Sequence, residues 1–354
     1  MNLERIITYF ESSIVKDLLL DKEITDISFN GDSLYYLHNF LGRKSMHFRP
    51  KKEEIRDFVR QIANLSEQQF SFSSPILDVS FGKYRFNAVH SSIAVFDGEE
   101  TTTFSVRIAS DEIHIKNDDA FFPLVVGELI DILLELNESI VIGGITGTGK
   151  TEFQKYLLSR MKENTKVIVI DNVLELDNHK NYQDIDLTIW KADDHNNYSS
   201  IQSLVRNALR NNPDWLIVAE SRGVEMVEVL NSAMSGHPII TTIHALDAQS
   251  MPHRMARMVM MSNKKETYEE ILGDIHYHFH YCFFLKRKIN EEGEVIRYLD
   301  MILEISKDGK AHTIFSRKKD GNYTFHTLNK DMISLIDLKS VSKDFAKVFM
   351  GEKE

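Results

Sequence analysis

The segment GITGTGKT at residues 144–151 constrains the fold more than any other part of the chain. It fits the phosphate-loop pattern G-x-x-x-x-G-K-[ST], and it lies between the apolar run SIVIGG and a segment with apolar residues at helical spacing. The order strand, glycine-rich loop, helix brings backbone N–H groups and a helix N-terminus around an anion. The segment therefore predicts an α/β domain whose sheet presents a phosphate-binding loop.

The loop also carries the side chains that nucleotide phosphates require. Lys150 is expected to reach the β- and γ-phosphates, and the hydroxyl of Thr151 is expected to ligate Mg²⁺. A glycine-rich turn that binds nothing is the alternative, and the flanking strand and helix argue against it. A nucleotide with Mg²⁺ is therefore expected at the loop, whose contributing residues are Gly144, Thr146, Gly147, Thr148, Gly149, Lys150 and Thr151.

The residues around the loop alternate short apolar runs with amphipathic segments. KVIVIDN, DWLIVAE and PIITTIHA are typical of buried strands, and helices are expected at Leu124–Leu136 and Val224–Met234. Such runs show no alternation of polar residues, so they predict a mostly parallel sheet covered on both faces. Further on, YHFHYCFFL, EVIRYLDMILEI and HTIFSR predict an antiparallel edge extension, and Asp331–Lys347 predicts a closing amphipathic helix.

The first part of the chain has a different pattern. ITDISFN and SLYYLHNF alternate apolar and polar residues around a Gly-Asp turn, and ILDVSFG, KYRFNAVHS and TTTFSVRIA form a second strand group. The fold class expected is therefore an N-terminal α+β domain at 1–109, a polar linker at 110–122, and a RecA-like P-loop domain at 123–354.

Composition excludes several classes of protein. The net charge of −11 argues against a surface that binds a nucleic-acid backbone, and the single cysteine, Cys282, rules out an intramolecular disulfide framework. The first twenty residues are interrupted by charged side chains and do not resemble a signal peptide. No apolar run reaches the roughly 18 residues that a membrane-spanning helix needs, so a soluble chain is expected.

Two strand ends carry groups suited to hydrolysis. Glu220 follows DWLIVA, at the edge where a parallel sheet presents its chemistry, and a carboxylate there can orient a water or complete a Mg²⁺ shell. His237 and His244 bracket the next apolar run. The alternatives are a solvated glutamate and structural histidines.

Taken together, these segments resemble the secretion ATPase superfamily, which comprises the motors of type IV secretion and conjugation, type II secretion and type IV pili. GGITGTGKT resembles its Walker A motif, LVRNALRNNPDWLIVAESRGVE its Walker B region and AMSGHPIITTIHA its His box. ITDISFNG, GKYRFNAV and FSVRI resemble its N-terminal domain. The short N-terminal domain and the lack of a cysteine-rich insert are more similar to the conjugation branch than to the pilus-extension branch.

The resemblance assigns roles to individual residues. It implies that Glu220 is the catalytic carboxylate and that His237 and His244 sense or position the γ-phosphate of ATP. It also implies that Arg85 and Arg107 reach the phosphates from the N-terminal domain, the alternative being surface ion pairs.

One motif departs from the pattern of the superfamily. Its Asp box usually reads I-E-D-x-x-E, whereas VIVIDNVLEL has Asp171 in place of Glu and Asn172 in place of Asp. Glu175 is retained, and the resemblance implies that it assists catalysis. The departure affects the expected strength of hydrolysis rather than nucleotide binding.

The resemblance implies a hexameric, cytoplasmic ATP hydrolase that powers a type IV secretion or conjugation machine at the inner face of the cell membrane. Its partners would be copies of itself and membrane proteins of that machine. The alternatives are a pilus or DNA-uptake motor, a nucleotide-gated scaffold with weak hydrolysis, and an ATP-driven nucleic-acid translocase, the last disfavoured by the acidic charge.

The row HYHFHYC raises the separate question of a metal site. On a strand, His276, His278, His280 and Cys282 would share one face. A flat row of ligands makes poor tetrahedral geometry without a second element, so an ordinary strand is the favoured interpretation.

Overall fold

The computed structural model describes residues 3–46, 49–110, 112–115, 120–177, 179–182, 184–193, 196–262 and 265–351. The chain divides into two compact units. The N-terminal unit comprises Met1–Asp111 and the separate segment Lys288–Ile296, and the C-terminal unit comprises Glu112–Arg287 and Arg297–Glu354. Residues 288–296 fall within the P-loop domain expected from the sequence, but in the structure they cluster with the N-terminal unit.

The N-terminal unit contains a six-stranded sheet in the order β3-β2-β1-β8-β5-β4 and a separate short hairpin. Its elements are α1 (Leu3–Glu11), a 3-10 turn (Leu18–Leu20), β1 (Ile24–Phe29), β2 (Leu34–His38), β3 (Gly42–Ser45), α2 (Lys52–Leu65), β4 (Ile76–Phe81), β5 (Tyr84–Val89), β6 (Val95–Phe96), β7 (Glu99–Glu100) and β8 (Thr103–Ile108).

Aromatic side chains form the core of this unit. Phe58 of α2 lies between Phe10 of α1 and Phe104 of β8, with ring centroids 6.1 and 5.3 Å apart. Phe86 of β5 stacks on Phe104 at 5.6 Å. All four rings are at most 3% exposed, because alternate residues of each strand face the two helices. The N-terminal α+β fold expected from the alternating strands is confirmed.

The C-terminal unit holds most of a nine-stranded sheet in the order β11-β10-β12-β13-β9-β14-β15-β16-β17. Its elements are α3 (Leu124–Glu135), β9 (Ile140–Gly143), α4 (Lys150–Ser159), β10 (Lys166–Asp171), β11 (Asp186–Lys191), α5 (Ile201–Ala208), β12 (Trp215–Val218), α6 (Met226–Met234), β13 (Ile239–Ile243), α7 (Ser250–Met260), α8 (Tyr268–His278), β14 (Tyr281–Ile289), β15 (Val295–Ile305), β16 (Ala311–Arg317), β17 (Tyr323–Phe325), α9 (Lys330–Leu335) and α10 (Lys343–Phe345). The tips of β14 and β15 belong to the segment that clusters with the N-terminal unit.

Parallel strands form the centre of this sheet, and consecutive residues of each strand face opposite sides. In β9, Ile140 and Ile142 pack into one core with Phe153 of α4, whereas Val141 packs into a second core with Met255 of α7. Burial on both faces is why these strands are continuously apolar. The mostly parallel sheet predicted from the sequence is confirmed, and its carboxyl edge lies at the glycine-rich loop.

The region after the His box differs from the sequence expectation. His276 and His278 end helix α8, and the strand begins only at Tyr281. The predicted single strand YHFHYCFFL, with its histidines on one face, is therefore wrong. Strand β14 runs parallel to β9, whereas the pairings of β15 with β16 and of β16 with β17 are antiparallel, as expected for the extension.

Two other segments differ from the sequence expectation. The predicted linker 110–122 contains Phe121 and Phe122, both buried in the core of the C-terminal unit, while residues 111 and 116–119 lie outside the described residues. The predicted closing helix Asp331–Lys347 is broken into α9, α10 and a π-helical turn at Ala346–Met350. In the described part of the chain, every helix is too short or too polar to cross a bilayer.

Candidate nucleotide-binding site

Three glycines with positive φ shape the loop between β9 and α4. Gly144, Gly147 and Gly149 have φ of +154°, +79° and +91°. A Cβ on Gly144 would lie 2.6 Å from Oγ1 of Thr148 and 2.7 Å from the carbonyl oxygen of Leu285, so a side chain cannot be added without moving the backbone. The loop therefore requires glycine for both conformation and space.

The ammonium of Lys150 lies inside this loop. Lys150 is the first residue of α4 and is 9% exposed. Its Nζ donates hydrogen bonds to the carbonyl oxygens of Gly144, at 3.1 Å, and Ile145, at 3.2 Å. The hydroxyl of Thr148 donates to the same Ile145 carbonyl at 2.9 Å. The ammonium is thus held at the N-terminus of α4, and both the cation and the helix end stabilise a bound anion.

A carboxylate and a histidine meet at the same edge of the sheet. Val218 of β12 pairs with Thr241 of β13, and Ile243 pairs with Gly143 of β9, so residues after these positions lie level with the loop. Glu220 and His244 follow these strand ends, and Nε2 of His244 lies 2.7 Å from Oε1 of Glu220. The structure therefore brings together two side chains that are 24 positions apart.

Glu220 is held as an anion by its surroundings. Its other oxygen, Oε2, accepts a hydrogen bond of 2.5 Å from Nη2 of Arg222. Burial raises the pKa of Glu220, but this hydrogen bond and the positive charges of Arg222 and Lys150 outweigh it and hold the pKa below its usual value. Glu220 is therefore ionised at pH 7.

One oxygen of this carboxylate remains available as an acceptor. Oε1 of Glu220 is shielded from solvent, and no described residue donates a well-aligned hydrogen bond to it.

The pKa of His244 is lowered, mainly by burial and to a smaller extent by the positive charge of Lys150. The negative charge of Glu220 opposes this shift but only partly offsets it. A neutral imidazole thus lies beside a carboxylate oxygen that can accept a proton or a hydrogen bond from water.

The Asp box forms a turn after β10. The carboxylate of Asp171 is 4% exposed and accepts hydrogen bonds from the backbone N–H groups of Val173, at 2.9 Å, and Leu176, at 3.4 Å. Burial raises the pKa of Asp171, and these bonds oppose the rise. Asp171 therefore organises the turn that carries Asn172 and Glu175, which the sequence alone did not indicate.

His237 does not join the cluster at the loop within this chain. It lies two residues before β13, at the amino end of the strand whose carboxyl end leads to His244. Its Nδ1 lies 3.1 Å from Oγ of Ser235.

Arg85 and Arg107 form a cross-strand pair in the N-terminal unit, on β5 and β8. Each has an acidic partner at 3.3 Å, Asp78 for Arg85 and Asp26 for Arg107. Both guanidinium groups are partly exposed, at 39% and 51%. These ion pairs supply the local explanation that the sequence lacked, so a role at the phosphates stays a prediction.

Sequence reasoning missed two arginines beside the loop. Nε of Arg297, on β15, donates a hydrogen bond of 2.9 Å to the carbonyl of Gly147. A Cβ on Gly147 would lie 2.9 Å from Nη1 of Arg287, on β14. The only sequence signal is a basic residue in each of two late strands, and nothing local relates them to the loop.

A cavity of about 670 Å³ opens beside the loop. Its lining includes Thr146 of the loop, His244, and Arg254 and Arg257 of α7. The volume is in the range of small-molecule sites, and its cations add to the positive potential around the phosphates.

The residues present fit a nucleotide with Mg²⁺. The loop is a cradle that a Cβ would fill, Lys150 supplies a cation, and Glu220 supplies an unsatisfied buried oxygen. Thr151 follows Lys150 in the first turn of α4, where its hydroxyl would be the Mg²⁺ ligand. Among the described residues, no cluster of three or more His, Cys, Asp or Glu side chains could hold a metal alone.

Comparisons with known proteins agree with this geometry. Residues 108–275 match the family described as Type II/IV secretion system protein. The uncharacterized protein pXO2-25 of Bacillus anthracis is 29% identical over 328 residues, which are 89% of this chain and 73% of that protein. The type IV secretion system protein VirB11 of Brucella suis is 31% identical over 134 residues, 37% of each chain, so the match spans well under two thirds of that relative.

Among solved structures, the Legionella pneumophila ATPase DotB has a TM-score of 0.61 at 18% identity, covering 86% of this chain and 81% of that one. At this identity the likeness concerns the fold. Fold and loop together define a P-loop nucleotide-binding protein with an additional N-terminal domain. The segment that carries the loop and the neighbouring strands is thus similar to the type II/IV secretion system family.

Proposed function

We propose that this chain binds ATP with Mg²⁺ at residues 144–151 and hydrolyses it. The observation that carries the proposal is the meeting of Lys150, Glu220 and His244 at one edge of the parallel sheet. These groups come from three separate segments, and folding alone does not require a buried cation and a partly buried carboxylate beside a glycine-rich loop.

The proposed chemistry divides between the loop and the carboxylate. Backbone N–H groups of the loop and the Lys150 ammonium hold the phosphates and stabilise the charge that develops on them. Oε1 of Glu220 accepts a hydrogen bond from the attacking water and aligns it with the γ-phosphate. Bound Mg²⁺ would neutralise charge on the β- and γ-phosphate oxygens.

His244 and Arg222 keep Glu220 in this role. The guanidinium of Arg222 fixes one oxygen of the carboxylate and keeps it ionised. The imidazole of His244, neutral at pH 7, lies against the other oxygen and limits its rotation. Because the carboxylate is already ionised and fixed in position, little free energy is needed to reorient it when the water reacts. Glu175 remains the candidate for an assisting carboxylate on the Asp-box turn.

We further propose that hydrolysis drives a type IV secretion or conjugation machine at the inner face of the cell membrane. The segment similar to VirB11 of Brucella suis, a protein of a type IV secretion system, supports this role. The working form would be a homo-hexamer in contact with membrane proteins of the machine, with Arg85 and Arg107 acting on the nucleotide from the N-terminal unit.

Two alternatives predict different results. A pilus or DNA-uptake motor would share all of the chemistry and differ only in its partners. A nucleotide-gated scaffold would bind ATP but turn it over very slowly, and Asn172 in the Asp box is the feature that favours it.

Calorimetric titration with Mg·ATP tests the binding site. The parent chain should bind, and Lys150→Ala should lose most of its affinity, because it removes the cation held inside the loop. Lys162→Ala is the matched control, since that lysine pairs with Glu135 at the surface. Equal affinity in the parent and in Lys150→Ala would refute the assignment of the loop.

A further inference from the structure

Arg287 and Arg297 contact the phosphate loop from two different strands. Nε of Arg297 donates to the carbonyl of Gly147, and its Cδ would lie 3.5 Å from a Cβ on Gly149. Nη1 of Arg287 lies close enough to Gly147 to occupy the space of a side chain there, 2.9 Å from the position of a Cβ. The loop is therefore bordered by two guanidinium groups in addition to the lysine inside it.

The contact to Gly147 sets the direction of a loop peptide. The chain has no cis peptide bonds among its described residues, so the N–H of Thr148 points opposite to the carbonyl of Gly147. A guanidinium that holds this carbonyl on one side keeps that N–H directed to the other side. Gly147, at φ +79°, has the backbone freedom to lose this orientation when the contact is absent.

The same arginines mark where the chain passes between the two compact units. The C-terminal unit includes the chain up to Arg287 and again from Arg297 onward, and residues 288–296 between them belong to the N-terminal unit. Within that unit, Val295 is 8% exposed and its N–H donates to the carbonyl of Phe40. Both ends of the segment are therefore at residues that contact the phosphate loop.

We propose that Arg297, assisted by Arg287, is a positioning residue that orients the phosphate loop and transmits its occupancy to residues 288–296. Phosphates bound by the loop N–H groups fix the peptide of Gly147, and its carbonyl then restrains the Arg297 side chain. Since Arg297 is joined to Ile296 by a single peptide bond, the restraint reaches the segment of the N-terminal unit directly. This inference rests on the proposed ATP binding at the same loop.

The test measures hydrogen exchange in peptides that cover residues 288–296, with and without saturating Mg²⁺ and a non-hydrolysable ATP analogue. The parent chain should show slower exchange in this segment when the analogue is bound. Arg297→Met should bind the analogue about tenfold more weakly, as expected for loss of a charged hydrogen bond that is partly exposed. At saturation it should show no nucleotide-dependent change in the segment.

Two further variants separate positioning from general stability. Lys286→Met removes a cation from the neighbouring strand β14, but Lys286 pairs with Asp300 at 2.9 Å, so the exchange response should be retained. Arg297→Lys keeps a donor that can reach the Gly147 carbonyl and should restore part of the affinity and of the response.

The outcomes are distinguishable. If the parent chain does not bind the analogue, the proposed function itself fails. If Arg297→Met binds with parental affinity and shows the parental exchange response, the inference is overturned while ATP binding stands. If Lys286→Met loses the response as fully as Arg297→Met, the effect belongs to the strand pair and the role of Arg297 is refuted.

Discussion

Replacing Glu220 with glutamine should separate nucleotide binding from hydrolysis. Gln keeps the shape and one carbonyl oxygen, which can still accept from Arg222, but it removes the negative charge beside the proposed position of the water. Loss of one preorganised electrostatic group typically lowers kcat by about 10²- to 10³-fold, or roughly 3–4 kcal/mol in the barrier. We expect Glu220→Gln to show a loss in this range.

The effect on folding should be much smaller. The Glu220 side chain is 22% exposed and its partners Arg222 and His244 are 58% and 45% exposed, so solvent screens these interactions. Such pairs contribute about 1 kcal/mol or less to stability. The pKa of Glu220 is lowered, so this contribution is present above the carboxyl's unfolded pKa and is lost as pH falls through the lower folded value.

The assay is steady-state phosphate release together with ATP titration and a thermal melt. Glu228→Gln is the matched control, because Glu228, on α6, also has a lowered pKa and pairs at 2.6 Å with an arginine, Arg206 of α5. We expect Glu228→Gln to keep its turnover, and Glu220→Gln to bind ATP at least as tightly as the parent. Unchanged turnover in Glu220→Gln would refute the catalytic assignment and make Glu175 the next candidate.

Three further predictions concern other parts of the site. Asn172→Asp should raise the hydrolysis rate several-fold if the residue faces the metal, measured by phosphate release, and no change would show that the Asp-box departure is silent. Arg107→Ala, and more weakly Arg85→Ala, should lower turnover while changing the free energy of unfolding by about 1 kcal/mol or less, since the ion pair of each arginine is partly exposed. A large loss of Tm with normal turnover would make them structural. Because the pKa of His244 lies below the ordinary histidine value of about 6.5, turnover should stay constant as pH falls from 8 to that value and decline only below it, whereas a midpoint above it would contradict a neutral imidazole.

Much of the site could be predicted because parallel strands impose a common edge. Once the apolar runs ending before Glu220 and His244 are recognised as strands, their carboxyl ends must lie beside the loop that follows β9. The same reasoning applied to the whole strand shows why His237 lies elsewhere: it precedes β13, and a five-residue strand separates its two ends. Pattern alone did not distinguish these two histidines.

Helix α8 shows where alternation was misleading. Its true signals are a capping box between Thr267 and Glu270 and the buried pair Ile271 and Ile275, one helical turn apart. These signals continue the helix through His278. His276 and His278 therefore lie at the end of α8, whereas Cys282 lies in strand β14. Local capping and burial therefore outweighed a two-residue periodicity.

The arginine contacts to the loop could not be predicted from sequence. Arg297 and Gly147 are separated by 150 positions, and their hydrogen bond depends on β14 pairing with β9 and on β15 pairing beyond it. No motif or periodicity encodes that strand order. The ion pairs of Arg85 and Arg107 were likewise invisible, because their acidic partners lie across strands rather than at helical spacing.

Phosphate release by the purified chain with Mg·ATP tests the central claim most directly. The account predicts sustained, Mg²⁺-dependent turnover that Lys150→Ala abolishes through loss of binding and Glu220→Gln abolishes with binding intact. ATP binding by the parent without turnover above the Glu220→Gln background would contradict hydrolysis at this site and leave a nucleotide-gated scaffold as the function.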